Sequence, residues 1–131
     1  MPSDLTAATT PAPRVVAVVV TWNRRELLTE AVDALRAQTL APVEIVVVNN
    51  ASTDDTAALL DSAYGDDLDV VHLRENTGGA GGFTVGIERA LGHHPDLVWL
   101  LDDDTVPTPG AGMANWRERL FASLVSGRQE A

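Results

Sequence analysis

The chain has 131 residues, 45% of them hydrophobic, which supports one domain with a buried core and excludes global disorder. Nine Lys+Arg against 19 Asp+Glu leave a formal net charge of −10, which argues against nucleic acid and anionic lipid as direct partners because both are polyanions. There is no cysteine and every cation is arginine, so disulfides, thiolate zinc sites, thiol nucleophiles, Schiff-base lysines and P-loop lysines are all excluded.

Met1 to Pro13 has neither a basic start nor an apolar stretch, so it does not read as a signal peptide; its Pro, Ala, Thr and Ser content predicts a frayed tail. Val15 to Val20 is a continuous β-branched run, the pattern of a strand buried on both faces, and is far shorter than the ~20 residues that span a bilayer. These features together predict a cytoplasmic domain. Arg24 to Gln38 follows as a helix, with Leu28, Val32 and Leu35 on one stripe, Asn23 as N-cap and Glu26 as its capping-box partner. Val43 to Val48 is a second strand. Thr53 to Tyr64 is a second helix, capped by Ser52, with Asp54 and Asp55 at its positive end. Asp69 to Arg74 is a third strand, and the glycine cluster Gly78 to Gly82 leads into a third helix that ends near Leu91. Leu97 to Leu101 is a fourth strand, stopped by Asp102-Asp103-Asp104. Pro107 and Pro109 make a turn, and a last helix from about Ala111 to Val125 stacks Met113, Trp116, Leu120 and Leu124, with Gly127 as its stop. Strands alternating with helices predict an α/β fold, a three-layer doubly wound parallel sheet of about four strands with flanking helices. The expected division is a tail over 1–13, a domain over 14–110, and a C-terminal helix and tail over 111–131.

Polar, small and acidic residues collect after each strand: Thr21 to Arg24, Asn49 to Asp54, Glu75 to Gly79, and Asp102 to Asp104. Ligands of open α/β sheets bind outside the carboxyl ends of the strands, so four such loops on one edge describe one site. Strand alternation turns Asp102 and Asp104 to one ligand and Asp103 away, and two carboxylates from one side suit Mg²⁺ or Mn²⁺. The bland alternative is a solvated acidic turn. The glycine cluster reads equally as a close-approach surface for an anion and as a flexible loop. Asn49 and Asn50 either hydrogen-bond a base or sugar or close an Asx turn. Ser52 and Asp54 read as caps, and Trp22 and Trp99 as core. His93 and His94 read as a solvated loop, and Arg25 and Arg89 as surface salt bridges. Arg24 and Arg74 remain candidates for diphosphate contact.

Taken together, Val20-Thr21-Trp22-Asn23-Arg24, Val47 to Asp54, Asn76 to Phe83 and Trp99 to Asp104 resemble the nucleotide-binding half of a GT-A-type inverting glycosyltransferase. The Gly-Gly-Ala-Gly-Gly-Phe segment and the Asp triplet are most similar to the branch containing galactofuranosyl- and rhamnosyltransferases. The resemblance implies a Rossmann-like sheet in the order 3-2-1-4 and a UDP- or dTDP-linked sugar donor. It places Thr21, Asn23 and Arg24 near base and diphosphate, Asn49, Asn50 and Asp54 around the nucleoside, and Asn76 near ribose or donor sugar. Gly79 and Asp103 join this nucleotide-sugar set, and Asp102 and Asp104 match the metal-binding motif for Mg²⁺ or Mn²⁺. The implied acceptor is a saccharide or a lipid-linked sugar, the latter at the inner face of the membrane.

The chain departs from that pattern in three ways. Asn49 stands where the family often has Asp, and Thr84 and Val85 stand where relatives often carry a cation. Relatives also continue into a second half that holds the acceptor and a carboxylate base, and no Asp or Glu in Glu118 to Ala131 matches such a base. No catalytic residue is therefore assigned, and the expected role is a donor-binding half. The alternatives are a non-catalytic nucleotide-sugar-binding module and an unrelated Rossmann-like cofactor binder. The implied strand order also leaves an apolar fourth strand at the sheet edge, without Lys or Pro, which predicts self-association unless the C-terminal helix covers it.

Overall fold

The computed structural model describes residues 13–39 and 41–104. The expected tail up to residue 12, the turn at Pro107 and Pro109, and the helix over 111–125 lie outside the described residues. Four parallel strands form one sheet in the order β3-β2-β1-β4: β1 Val15–Thr21, β2 Glu44–Asn49, β3 Asp69–His72 and β4 Leu97–Asp102. The helices are α1 Arg25–Arg36, α2 Thr56–Leu59 and α3 Gly78–Leu91. A π-helical turn, Leu60–Tyr64, and a 3₁₀ turn, Gly65–Asp67, continue α2.

Parallel strands in the middle of a sheet bury both faces, and β1 needs apolar residues at every position for that reason. Ala17, Val19, Val47 and Leu101 pack against Leu28, Val32 and Leu35 of α1 and against Leu60 and Tyr64. Val16, Val18, Val46 and Val48 pack with Ala90 of α3 on the opposite face. The result is the three-layer arrangement.

Helix α3 explains the glycine cluster. The helix begins at Gly78, so the cluster forms its first turn rather than a loop before it. Gly82 and Gly86 lie one turn apart and are both buried. A Cβ on Gly82 would stand 2.7 Å from Val20 Cγ1, and one on Gly86 would meet Val18 and stand 3.2 Å from Val48 Cγ2. Glycine is required there because α3 lies directly on β1 and β2. Gly78 itself has φ +73°, a conformation open to glycine at little cost.

Three expected boundaries shift. Helix α1 starts at Arg25 without a side-chain cap, because Asn23 faces the next loop instead. The second helix starts at Thr56, where Asp54 Oδ1 accepts from the Thr56 N–H at 3.0 Å, and Ser52 does not cap it. β3 stops at His72, two residues short of Arg74. No described helix is long and apolar enough to cross a membrane.

Candidate functional site

The strand-end loops enclose a cleft of about 440 Å³ at the carboxyl edge of the sheet. Val20, Thr21, Trp22 and Arg24 line it from the end of β1, Asn50 from β2, and Asn76, Gly78, Gly79 and Phe83 from the start of α3. Asp102, Asp103 and Asp104 close it from β4. The topology dictates this meeting: β1 and β4 are neighbours in register, with Val20 opposite Asp102, so both loops leave the sheet side by side.

Asp103 is the buried member of the triplet, at 7% exposure. Its Oδ2 accepts from Thr21 Oγ1 at 3.1 Å, and its Oδ1 lies 3.6 Å from Arg24 Nη1. Burial pushes its carboxyl above the ordinary carboxylate range; the Thr21 hydroxyl, the Arg24 guanidinium and the Trp22 N–H oppose that rise, and burial prevails. Asp102 and Asp104 are exposed while Asp103 is buried, so the side chains alternate through the triplet as expected, although Asp103 still borders the cleft from beneath. Arg24 Nη1 also lies 3.6 Å from Asp104 Oδ2. Asp102 is exposed and has no ion pair among the described residues. One guanidinium thus pairs with two of the three carboxylates lining the cleft, which leaves excess negative charge and oxygen-only donors. That donor set fits a hard divalent cation. Among the described residues no three His, Cys, Asp or Glu side chains are grouped to hold a metal by themselves.

The asparagines brace the loops. Asn50, 3% exposed, accepts from Thr77 N–H at 2.9 Å and donates to the Gly78 carbonyl at 2.9 Å, tying the end of β2 to the start of α3. Asn76 Oδ1 accepts from Gly78 N–H at 2.8 Å. Asn49 is buried beneath its loop and is not among the cleft-lining residues; its Oδ1 accepts from Ser52 N–H at 3.1 Å, the Asx-type closure. Asn23, with φ +53°, accepts from the N–H groups of Thr53 and Asp54 at 2.7 and 3.2 Å. It lines a second opening of about 490 Å³ together with Arg24, Arg25 and Asp54. Arg24 borders both spaces. The Thr56 hydroxyl, donating to it, holds the Asp54 carboxyl below its ordinary value.

Thr21, Arg24, Asn50, Asn76, Gly79 and the Asp triplet are thus brought together, Asn23 and Asp54 sit beside them, and Asn49 supports from below. Arg74 does not line the cleft. Trp22 corrects the expectation of core packing: it is 49% exposed and lines the cleft. Alternation carried it, since Thr21 points inward at the end of β1. Trp99 packs against the core. Arg25 pairs with Asp55, and Arg89 bonds Asp69 at 2.9 Å, both as surface pairs. His93 is not free in solvent, because its Nε2 lies 2.7 Å from Asp69 Oδ2.

The glycosyl transferase family 2 profile matches residues 16–114. Galactofuranosyltransferase GlfT1 of Mycolicibacterium smegmatis is 41% identical over 95 residues, covering 71% of this chain and 30% of that protein. Among solved structures, S. aureus TarS in complex with UDP-GlcNAc superposes with a TM-score of 0.59 at 28% identity, covering 70% of this chain and 26% of that one. The mannosyltransferase PcManGT from Pyrobaculum calidifontis, in complex with GDP-Man and Mn²⁺, superposes with a TM-score of 0.59 at 29% identity, covering 77% and 30%. The chain therefore spans less than a third of the length of each of these relatives.

Proposed function

The chain belongs to glycosyl transferase family 2, and from that premise we propose that its cleft holds a nucleotide-diphosphosugar, UDP- or dTDP-linked, together with Mg²⁺ or Mn²⁺. One observation carries this reading: all four strand-end loops converge on one cleft lined by three adjacent carboxylates, two of which pair with a single arginine. Asp102 and Asp104 are the residues that would hold the metal, which when bound would supply positive charge to offset the diphosphate. Arg24, beside Asp103 and Asp104 at the cleft, is placed to bind the diphosphate. Asp103 orients Arg24 and the Thr21 hydroxyl from below. Trp22 offers an exposed aromatic face on which a base can stack. Gly79 gives room beside the start of α3, and Asn50 and Asn76 hold that segment in place.

An inverting transfer also needs an acceptor and a base to take its proton. The matched part of this chain spans only 26–30% of each relative. The chain is therefore read as the donor side, with a saccharide or lipid-linked acceptor held by a further half. The apolar edge of β4, with Leu100 46% exposed, supports pairing of that edge with further chain or with a second copy.

Calorimetric titration with UDP-sugars, dTDP-sugars and NAD, each with and without Mn²⁺, tests the reading. Metal-dependent binding of a nucleotide sugar supports it. NAD binding without metal overturns it in favour of an unrelated cofactor binder.

A further inference from the structure

The carboxyl edge of the sheet continues past the cleft to His72, the last residue of β3. In register, His72 pairs with Asn49 and Asn49 with Thr21. Chemistry fixes the orientation of the Asn49 carboxamide. Ser52 N–H can only donate, so the atom 3.1 Å from it is Oδ1. Nδ2 then faces His72 Nδ1 at 3.1 Å, and an amide nitrogen also only donates. Nδ1 must therefore carry a lone pair, and the ring proton sits on Nε2, donating to Asp61 Oδ1 at 3.2 Å. These contacts select one neutral tautomer.

The same carboxamide begins a chain that ends over the cleft. Ser52, held by Asn49, accepts from Asn23 N–H through its Oγ at 3.0 Å. Asn23 in turn accepts from Thr53 and Asp54 N–H, and its Nδ2 donates to Thr53 Oγ1 at 3.1 Å. Both Asn23 and Ala51 sit at positive φ, +53° and +63°, so the two loops keep these shapes only while clasped. The next residue after Asn23 is Arg24.

We propose that neutral His72 is a positioning residue for donor binding: its Nδ1 holds the Asn49 carboxamide, which holds the Ser52–Asn23 clasp that aims Arg24 into the cleft. The inference rests on the nucleotide-sugar reading above. A second proton on Nδ1 would set two donors against each other. Turning the amide would only move the conflict to Ser52 N–H. Among the described residues the polar groups on the ring are Asn49 from β2 and Asp61 from the turn after α2. A ring protonated at both nitrogens would therefore break the Nδ1 contact and with it the clasp.

The test uses the whole chain with UDP and Mn²⁺ as the probe, titrated from about pH 8 to about pH 5, where histidine changes charge. His72→Phe removes the acceptor. His72→Gln keeps an acceptor oxygen that does not titrate. His72→Phe is expected to bind UDP about 2- to 10-fold more weakly at the upper pH, the range of one hydrogen bond. His72→Gln is expected to restore binding and to lose the acid-side decline that wild type shows; comparing those two removes the titration of UDP and of the cleft carboxylates. Nitrogen-15 NMR should find His72 with Nδ1 unprotonated and Nε2 protonated. The opposite tautomer, or His72→Phe and His72→Gln both binding as wild type at every pH, overturns the inference. If His72→Phe does not fold, the His72→Gln pH profile carries the test. Wild type that binds no UDP at any pH overturns the nucleotide-sugar reading and the inference with it, while the NMR tautomer reports separately on the hydrogen-bond chain.

Discussion

Two glycine-to-alanine substitutions on one helix should move in opposite directions. Helix propensity alone predicts that both Gly79→Ala and Gly86→Ala stabilise α3, by roughly 0.5–1 kcal/mol each. At Gly79 nothing lies within 4 Å of an added Cβ, so that gain should appear. At Gly86 the added methyl meets Val18 and stands 3.2 Å from Val48 Cγ2, and both valines are fully buried in central strands. Neither can give way without moving β1 or β2. Overpacking of this kind costs about 1–3 kcal/mol, which offsets or exceeds the propensity gain and leaves a net loss of up to about 2.5 kcal/mol. Urea unfolding at constant slope reads both changes. The functional readout runs the other way. Gly79 lines the cleft, so Gly79→Ala should weaken UDP binding while stabilising the fold. Gly86→Ala variants that are more stable than wild type would refute the close seating of α3 on the sheet. Gly79→Ala with unchanged UDP affinity would remove Gly79 from the ligand surface.

Burial holds the Asp103 carboxyl above its ordinary value, so the native state keeps a proton over a pH window in which the unfolded chain has lost it. Its contribution to stability is present below the ordinary carboxylate range and is lost as pH rises through the raised value. Asp103→Asn should flatten that decline in urea midpoints measured against pH, and should weaken UDP binding because it removes the charge beside Arg24. Asp69 has the opposite sign. Burial raises it, but hydrogen bonds from Arg89 and His93 prevail and lower it, so its contribution is present above the ordinary value and lost as pH falls through the lowered one. Asp69→Asn should remove part of the acid-side loss of stability in the same measurement. Arg24→Ala should weaken Mn²⁺-dependent UDP binding by about tenfold or more, the scale of a charge-assisted contact, whereas Arg25→Ala, whose partner is the exposed Asp55, should change it little; equal effects in calorimetry would contradict the assignment of Arg24.

The strands were legible because a buried parallel sheet favours continuous apolar, largely β-branched runs, and Val15 to Val20 and Ile45 to Val48 are such runs. The strand order came from the family resemblance and agrees with the sheet. Helix starts were less legible. Asn23 and Ser52 have the chemistry of caps, but that chemistry also serves long-range loop contacts, and here they bond each other's loops. Propensity leaves Gly78 to Gly82 open to a loop; the structure makes it the first turn of α3, and only Gly82 of the cluster is pressed against the sheet, at Val20. Within the site, the apolar character of Trp22 points to the core, whereas alternation past the buried Thr21 turns it outward into the cleft. His72 carried no local signal, because its role depends on Asn49, which is distant in sequence and adjacent only through β-pairing.

Paramagnetic broadening by Mn²⁺ tests the location of the site most directly. On a nitrogen-15-labelled chain, substoichiometric Mn²⁺ with UDP should broaden the amides of Asp102 to Asp104, Thr21 to Arg24 and Gly78 to Gly79, and leave the opposite edge of the sheet, around Val43 and Asp69, sharp. Broadening centred elsewhere, or unchanged by Asp102→Ala and Asp104→Ala, would contradict a metal-assisted nucleotide-sugar site at this cleft.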